Sequence, residues 1–221
     1  MSAGLFALDY STTVGNNLHF RLWAFVETIP GSENAKNPPP PPMENMLRYP
    51  LSQIREAAPF FVEGLSHGWT FEYTPSDRAR KVEEYFDFKS IHPLSESEIR
   101  AISYSQAHVE GNTLYCWVDF PLDERALFLK KQQAGAKTIS IHGKGYGTIF
   151  GGTNGIHEAA KEALKNAIRD YAQKITRNKP KEIAGSVIIS QPPIVALDSG
   201  RYAVTLDFFL EISILLPYSN Y

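Results

Sequence analysis

The chain has 221 residues, 43% hydrophobic and 21% charged, which provides a real core without disulfide staples and argues against long disorder. Its 22 Lys and Arg face 24 Asp and Glu, a net charge of −2 with no basic block, so the basic stripe of a nucleic-acid binder is missing. A single cysteine, Cys116, excludes an internal disulfide.

Residues 5–13 and 18–29 read as a hairpin, joined by Val14-Gly15-Asn16-Asn17, residues that tolerate positive φ. Residues 30–42 form a loop that ends in five prolines, Pro38 to Pro42. Such a run favours polyproline II, as a stiff surface connector or as a ligand for a partner domain. Leu51, Ile54, Ala57, Ala58, Phe61 and Leu65 share one stripe of a helix over 51–66. Pro59 argues for a kink or early break, and Gly68 for a left-handed cap. Strands follow at 69–74 and 84–91, then a capped turn at Ser95-Glu96-Ser97-Glu98. Residues 101–110 and 113–120 form a second hairpin around Gly111-Asn112, and Asp123–Gln133 reads as a helix stopped by Ala134-Gly135.

A strand over Lys137–Tyr146 then runs into six closely spaced glycines, Gly143, Gly145, Gly147, Gly151, Gly152 and Gly155. The helix near His157–Arg177 carries Ile156, Ala160, Ala163, Leu164, Ala167 and Ile168 on one stripe and charged residues opposite, the pattern of a helix laid on a sheet. Asn178 and Pro180 stop it. A strand over Ala184–Ser190 leads to a proline-containing connection, Gln191–Gly200, and a final alternating strand from Tyr202 to Ile212. Helix, glycine, strand, loop, strand thus occurs at 51–91 and again at 157–213.

No residue constellation asks for catalysis. The turn 143–155 precedes a helix N-terminus, where anions bind, but it has no Gly-Lys-Ser/Thr ending, and Tyr146-Gly147-Thr148 breaks the G-x-G-x-x-G spacing. Bulges and a turn account for these glycines. The six histidines, His19, His67, His92, His108, His142 and His157, lack metal-ligand spacing. Cys116 sits in a strand pattern and reads as a buried small apolar residue. Asp119, Asp123 and Glu124 cluster after a strand end and read as a solvated face, with acid–base work as the sharper alternative. Asp198-Ser199-Gly200 is a turn signature. No catalytic, cofactor-binding or metal-binding residue is therefore assigned, and no cofactor is expected.

One unit carries a resemblance. The run Ile139-Ser140-Ile141-His142-Gly143-Lys144-Gly145 resembles the small-residue strand that opens a module of bacterial envelope proteins. The helix with Ala159-Ala160, Ala163 and Ala167-Ile168-Arg169-Asp170 fits the same module. So do Ile183-Ala184-Gly185-Ser186-Val187 and Ser199-Gly200-Arg201-Tyr202-Ala203-Val204. Residues 137–213 are similar to the module of small outer-membrane lipoproteins related to the N-terminal domain of flagellar assembly protein T. The resemblance implies a non-catalytic envelope protein that is flagellum- or outer-membrane-associated and acts through protein–protein contacts or self-association.

The expected fold is α+β: mainly antiparallel sheet with one long amphipathic helix and one or two shorter helices packed on it. Two subdomains are expected, 1–121 as α+β and 122–221 as β-α-β-β, with one continuous domain as the alternative. The competing functional reading is a cytoplasmic enzyme or small-ligand binder that uses the turn 143–155. No stretch reaches the ~20 apolar residues of a membrane helix. Met1-Ser2-Ala3-Gly4 shows neither a secretory start nor a lipobox cysteine. The expected location is periplasm or outer membrane where an export signal precedes the sequence, with membrane attachment only through a lipid anchor, and cytoplasm otherwise.

Overall fold

Leu18, Phe20, Leu22 and Ala24 alternate with half-exposed neighbours along one strand, and pair in register with Phe120, Val118, Cys116 and Leu114 on another. The period of two turns all eight to one face, where all are buried. This pair is the centre of the smaller of two antiparallel sheets. Its strands are β1 (Thr13–Val14), β2 (Asn17–Phe25), β5 (Ser103–Glu110) and β6 (Thr113–Pro121), in the order β1-β2-β6-β5. The computed structural model describes residues 13–14, 16–27, 47–133, 138–176 and 179–218. Most of the expected strand 5–13, the proline run Pro38–Pro42 and the Ala134-Gly135 stop lie outside the described residues.

The larger sheet contains β3 (Trp69–Thr74), β4 (Tyr85–Ser90), β7 (Ile139–Thr148), β8 (Glu182–Ile189), β9 (Ile194–Asp198) and β10 (Arg201–Leu216). The order is β4-β3-β8-β10-β7, with β9 beside the first half of β10. The helices are α1 (Arg48–Ser66), α2 (Glu96–Ala101), α3 (Glu124–Gln133) and α4 (Thr153–Ile175). The fold is α+β, as read from the sequence. Helix α1 packs on β2 and β6 of the small sheet, on β8 of the large one and on α4. The buried side chains of both sheets and of α1 and α4 form one continuous cluster.

Several boundaries differ from expectation for physical reasons. Helix α1 runs through Pro59 to Ser66, because Ile54, Ala57 and Ala58 before the proline and Phe61, Val62 and Leu65 after it are all buried. Burial of both halves outweighs a cost of about 3 kcal/mol for an interior proline. Gly68, at φ +77°, closes the helix by donating to Glu63 O at 2.8 Å. The capped turn at Ser95 continues into α2, held by a capping box between Ser95 and Glu98. The connection before the last strand contains β9, whose hairpin to β10 turns at Ser199-Gly200. Helix α4 begins at Thr153 rather than His157.

The glycines of β7 are explained by how close α4 lies. Gly143, Gly145 and Gly147 face the helix on alternate positions, and a Cβ on them would strike the backbone carbonyls of Ala163, Ala159 and Gly155 respectively. The strand's glycine period of two therefore meets the helix's period of four. Two α4 side chains one turn apart also bond the strand's backbone. Glu162 accepts from Tyr146 N at 2.5 Å, and Asn166 donates to Lys144 O at 2.9 Å. The edge of β7 away from β10 is thus blunted against further pairing. The repeated helix–strand–strand units meet at the middle of the sheet. β3 and β8, the first strand of each unit, pair antiparallel there, with β4 and β10 outside them.

Candidate functional site

The polar residues singled out in the sequence are dispersed by the fold. Asp119 on β6 binds His19 Nδ1 at 2.5 Å and accepts from Ser105 Oγ at 3.0 Å, while the His19 ring stacks on Trp117. Asp123 caps α3 by accepting from Ala126 N at 2.7 Å. His142 pairs with Asp207 at 2.7 Å and His92 with Glu98 at 2.9 Å; His108 lies beside Gln106 O. Cys116 is buried, and burial pushes its thiol pKa up. Asp198 accepts from Lys144 at 3.0 Å and Tyr146 at 3.2 Å. Among the described residues no three His, Cys, Asp or Glu side chains gather closely enough to hold a metal ion. The inner face of Gly143, Gly145 and Gly147 is filled by the backbone of α4.

Two features that the sequence reading did not single out coincide in space. The first is an offset between strands. β7 pairs with β10 only from Arg201 to Leu210, where Ile139 faces Leu210. β10 continues to Leu216 against β8 on its other side, with a bulge between Ile212 and Ile214. On the β7 side, residues 211–216 have no strand beside them among the described residues. Ile214, Leu215 and Leu216 are consecutive and 43%, 39% and 44% exposed. In chain order Leu215 and Leu216 break the alternation, so apolar groups emerge on both faces of the strand. That break was the available signal.

The second feature is a half-open cavity of about 580 Å³ at the point where β7 leaves β10. Leu129 of α3 lines it from one side, and Ile139, Val187, Leu210 and Ile212 of three adjacent strands line it from the other. His67 and Arg125 border it. His67 is 5% exposed; its Nδ1 lies 3.0 Å from Ser66 Oγ and its Nε2 3.6 Å from Asp123. Ser66 Oγ donates to Val62 O at 2.6 Å, so it accepts from an Nδ1–H of His67. Burial holds the His67 pKa below the usual histidine value, against the pull of Asp123.

A family model matches residues 9–218, across both sheets and all four helices. The chain belongs to that family. It is similar to an uncharacterised protein of Treponema pallidum (strain Nichols), 28% identical over 215 residues, which cover 96% of this chain and 87% of the relative. No solved structure matches it. Among the described residues no helix is long and apolar enough to cross a membrane.

Proposed function

We propose that this chain is a bacterial envelope protein that acts without catalysis, by taking up an extended segment of a protein partner along the part of β10 that has no strand on its β7 side among the described residues. One observation carries the reading: β10 outruns β7 after Leu210 and exposes Ile214, Leu215 and Leu216 there. An unpaired strand edge presents a row of backbone donors and acceptors that another strand satisfies. Two other strand edges carry side-chain cover. Glu162 and Asn166 bond the edge of β7, and Trp23 donates its indole N–H to Val195 O of β9 at 2.7 Å. The tail of β10 has no such cover among the described residues, and after Glu211 its side chains are apolar apart from Ser213, with no charged residue to protect the edge. The resemblance of residues 137–213 to envelope lipoprotein modules is what supports the location.

A photo-crosslinking residue at Leu215 in the native cell, with one at Tyr85 as control, tests the contact. The expected result is a discrete adduct at Leu215 alone, lost with Ile214→Lys. A dimer of this chain in light scattering, abolished by the same substitution, would instead assign the edge to a second copy and sink the partner reading. Cell fractionation tests the location, and recovery in the cytosol alone sinks the envelope part.

A further inference from the structure

We infer that the cavity between the end of β3 and the last turns of α4 binds a small organic carboxylate. It measures about 260 Å³, just under the ~300–1,000 Å³ of sites for drug-sized molecules, so its occupant is compact. Pro75, Ala172 and Pro180, all buried, give it apolar walls. Tyr73, Glu84, Arg169, Gln173 and Lys179 supply the polar groups. Some of these are spent within the fold. The Tyr73 hydroxyl donates to Glu84 Oε1 at 3.0 Å, and Lys165 Nζ donates to Glu84 Oε2 at 3.0 Å. The charge of Glu84 is thus answered by Lys165. Lys179 spends one donor on Ser76 O at 2.7 Å. Arg169 is different. Its nearest carboxylate is that of Asp170, with Oδ1 3.7 Å from Nε, beyond hydrogen-bond reach. Its N–H groups, like the Gln173 amide, make no hydrogen bond among the described residues. Asp170 is 58% exposed, and an exposed pair of this length does little to neutralise a guanidinium. Arg169 and Lys179 therefore leave uncompensated positive charge at an apolar-walled recess, in a chain whose net charge is −2. The C-terminus of α4 opposes them with about half a negative charge. Thr176 softens that by donating to Ala172 O from both N at 3.1 Å and Oγ1 at 2.7 Å. The guanidinium fork matches the two oxygens of a carboxylate, and Lys179 adds a point charge. The apolar walls take an organic body, which inorganic phosphate lacks. This site shares no residue with the tail of β10 or with the turn 143–155, and it does not depend on the strand reading.

The probes are acetate, isocaproate and hydrocinnamate, titrated into the full chain by NMR beside hydrocinnamide and inorganic phosphate. Hydrocinnamate should bind at least about tenfold more tightly than hydrocinnamide or phosphate, with backbone shifts clustered at Tyr73, Ala172 and Gln173. Affinity should rise from acetate to the two longer acids. Arg169→Gln removes the fork from a side chain that is 41% exposed, and should reduce the preference for acid over amide to less than about twofold. A melting curve checks that this variant is folded; should it not be, Lys179→Met, at an exposed position, takes its place with the same expected direction. Amide or phosphate binding as tight as that of the acid overturns the carboxylate assignment, and so does an unchanged preference in Arg169→Gln. Shifts centred elsewhere overturn the location. Binding by none of the three acids overturns the site.

Discussion

Gly145 lies directly against the carbonyl of Ala159: a Cβ at this position of β7 would collide with that oxygen and with the backbone N of Ala163. Neither atom is the far end of a flexible side chain, so relief requires α4 to lift from the strand. Gly145→Ala should therefore destabilise the protein by about 3 kcal/mol, the upper end for overpacking. Gly151→Ala is the control. Its added Cβ would meet nothing nearer than Thr148 Cγ2 at 3.4 Å, and the change should stay within about 0.5 kcal/mol. Urea denaturation of both variants checks the pair, and equal costs would sink the close-packing account.

Trp23 joins the two sheets. Its indole N–H donates to Val195 O at 2.7 Å, from the small sheet to the edge of β9. Trp23→Phe keeps an aromatic ring and removes the donor, leaving the carbonyl unpaired. The expected loss is about 1–2 kcal/mol. Amide exchange of β9 should accelerate more than that of β8, and uniform acceleration of the whole sheet would count against a local junction.

The legible parts of the fold are those where local pattern and burial agree. Strand β3 was read to its last residue because Trp69, Phe71 and Tyr73 alternate strictly after the stop at Gly68. The hairpin β9–β10 was half legible. Asp198-Ser199-Gly200 announced a turn, but Pro192-Pro193 disguised the short strand before it. The role of Gly143, Gly145 and Gly147 was illegible because what occupies their inner face is α4, which comes later in the chain. The same holds for the candidate site. A strand's length is visible in its own residues, but where its neighbour stops is not. The offset at Leu210 and the cavity beside it arise from pairing between segments far apart in sequence.

Glu98 closes a capping box with Ser95 and also bonds His92 at 2.9 Å. The hydrogen bonds from Ser95, and then that from His92, hold its pKa down to about 2. A carboxyl with a lowered folded pKa contributes fully above its ordinary pKa of about 4.3, and the contribution is lost as pH falls toward 2. An NMR titration of the Glu98 carboxyl should have a midpoint well below 4, whereas an ordinary midpoint would show the box to be open in solution. Ser95→Ala removes only the hydroxyl, so it should raise the midpoint part of the way to the ordinary value, with the backbone N–H of residue 95 and His92 still bonding the carboxyl, and cost about 1 kcal/mol.

Lys130 on α3 is half-buried, and burial pushes its pKa down to about 8. Here the charged form is disfavoured by folding. Between pH 8 and the usual lysine value of about 10.4 the unfolded chain binds more protons than the native one, so stability should rise with pH across that window. Lys130→Met should raise the melting temperature at pH 7 and flatten this rise. A variant less stable than the parent at pH 7 would refute the account.

His157 gives the opposite end of the pH profile. It packs against Phe60 at 4.7 Å between ring centroids, and its Nε2 is buried without a hydrogen-bond partner. Burial lowers its pKa, with only a partial counter-effect from Glu56. His67 is lowered in the same way, but Asp123 lies 3.6 Å away to receive its charge. For a base with a lowered folded pKa, the unfolded chain binds more protons once pH drops below about 6.5. Stability is then lost on acidification, with a slope of at most about 1.4 kcal/mol per pH unit for each such group. Between pH 7 and pH 5 the parent should lose stability, and His157→Phe should remove more of that loss than His67→Gln, because Asp123 receives the charge of His67 at 3.6 Å whereas Glu56 acts on His157 only through space. Denaturation midpoints at five pH values separate the two. A slope unchanged by His157→Phe would mean that His157 takes up its proton without unfolding.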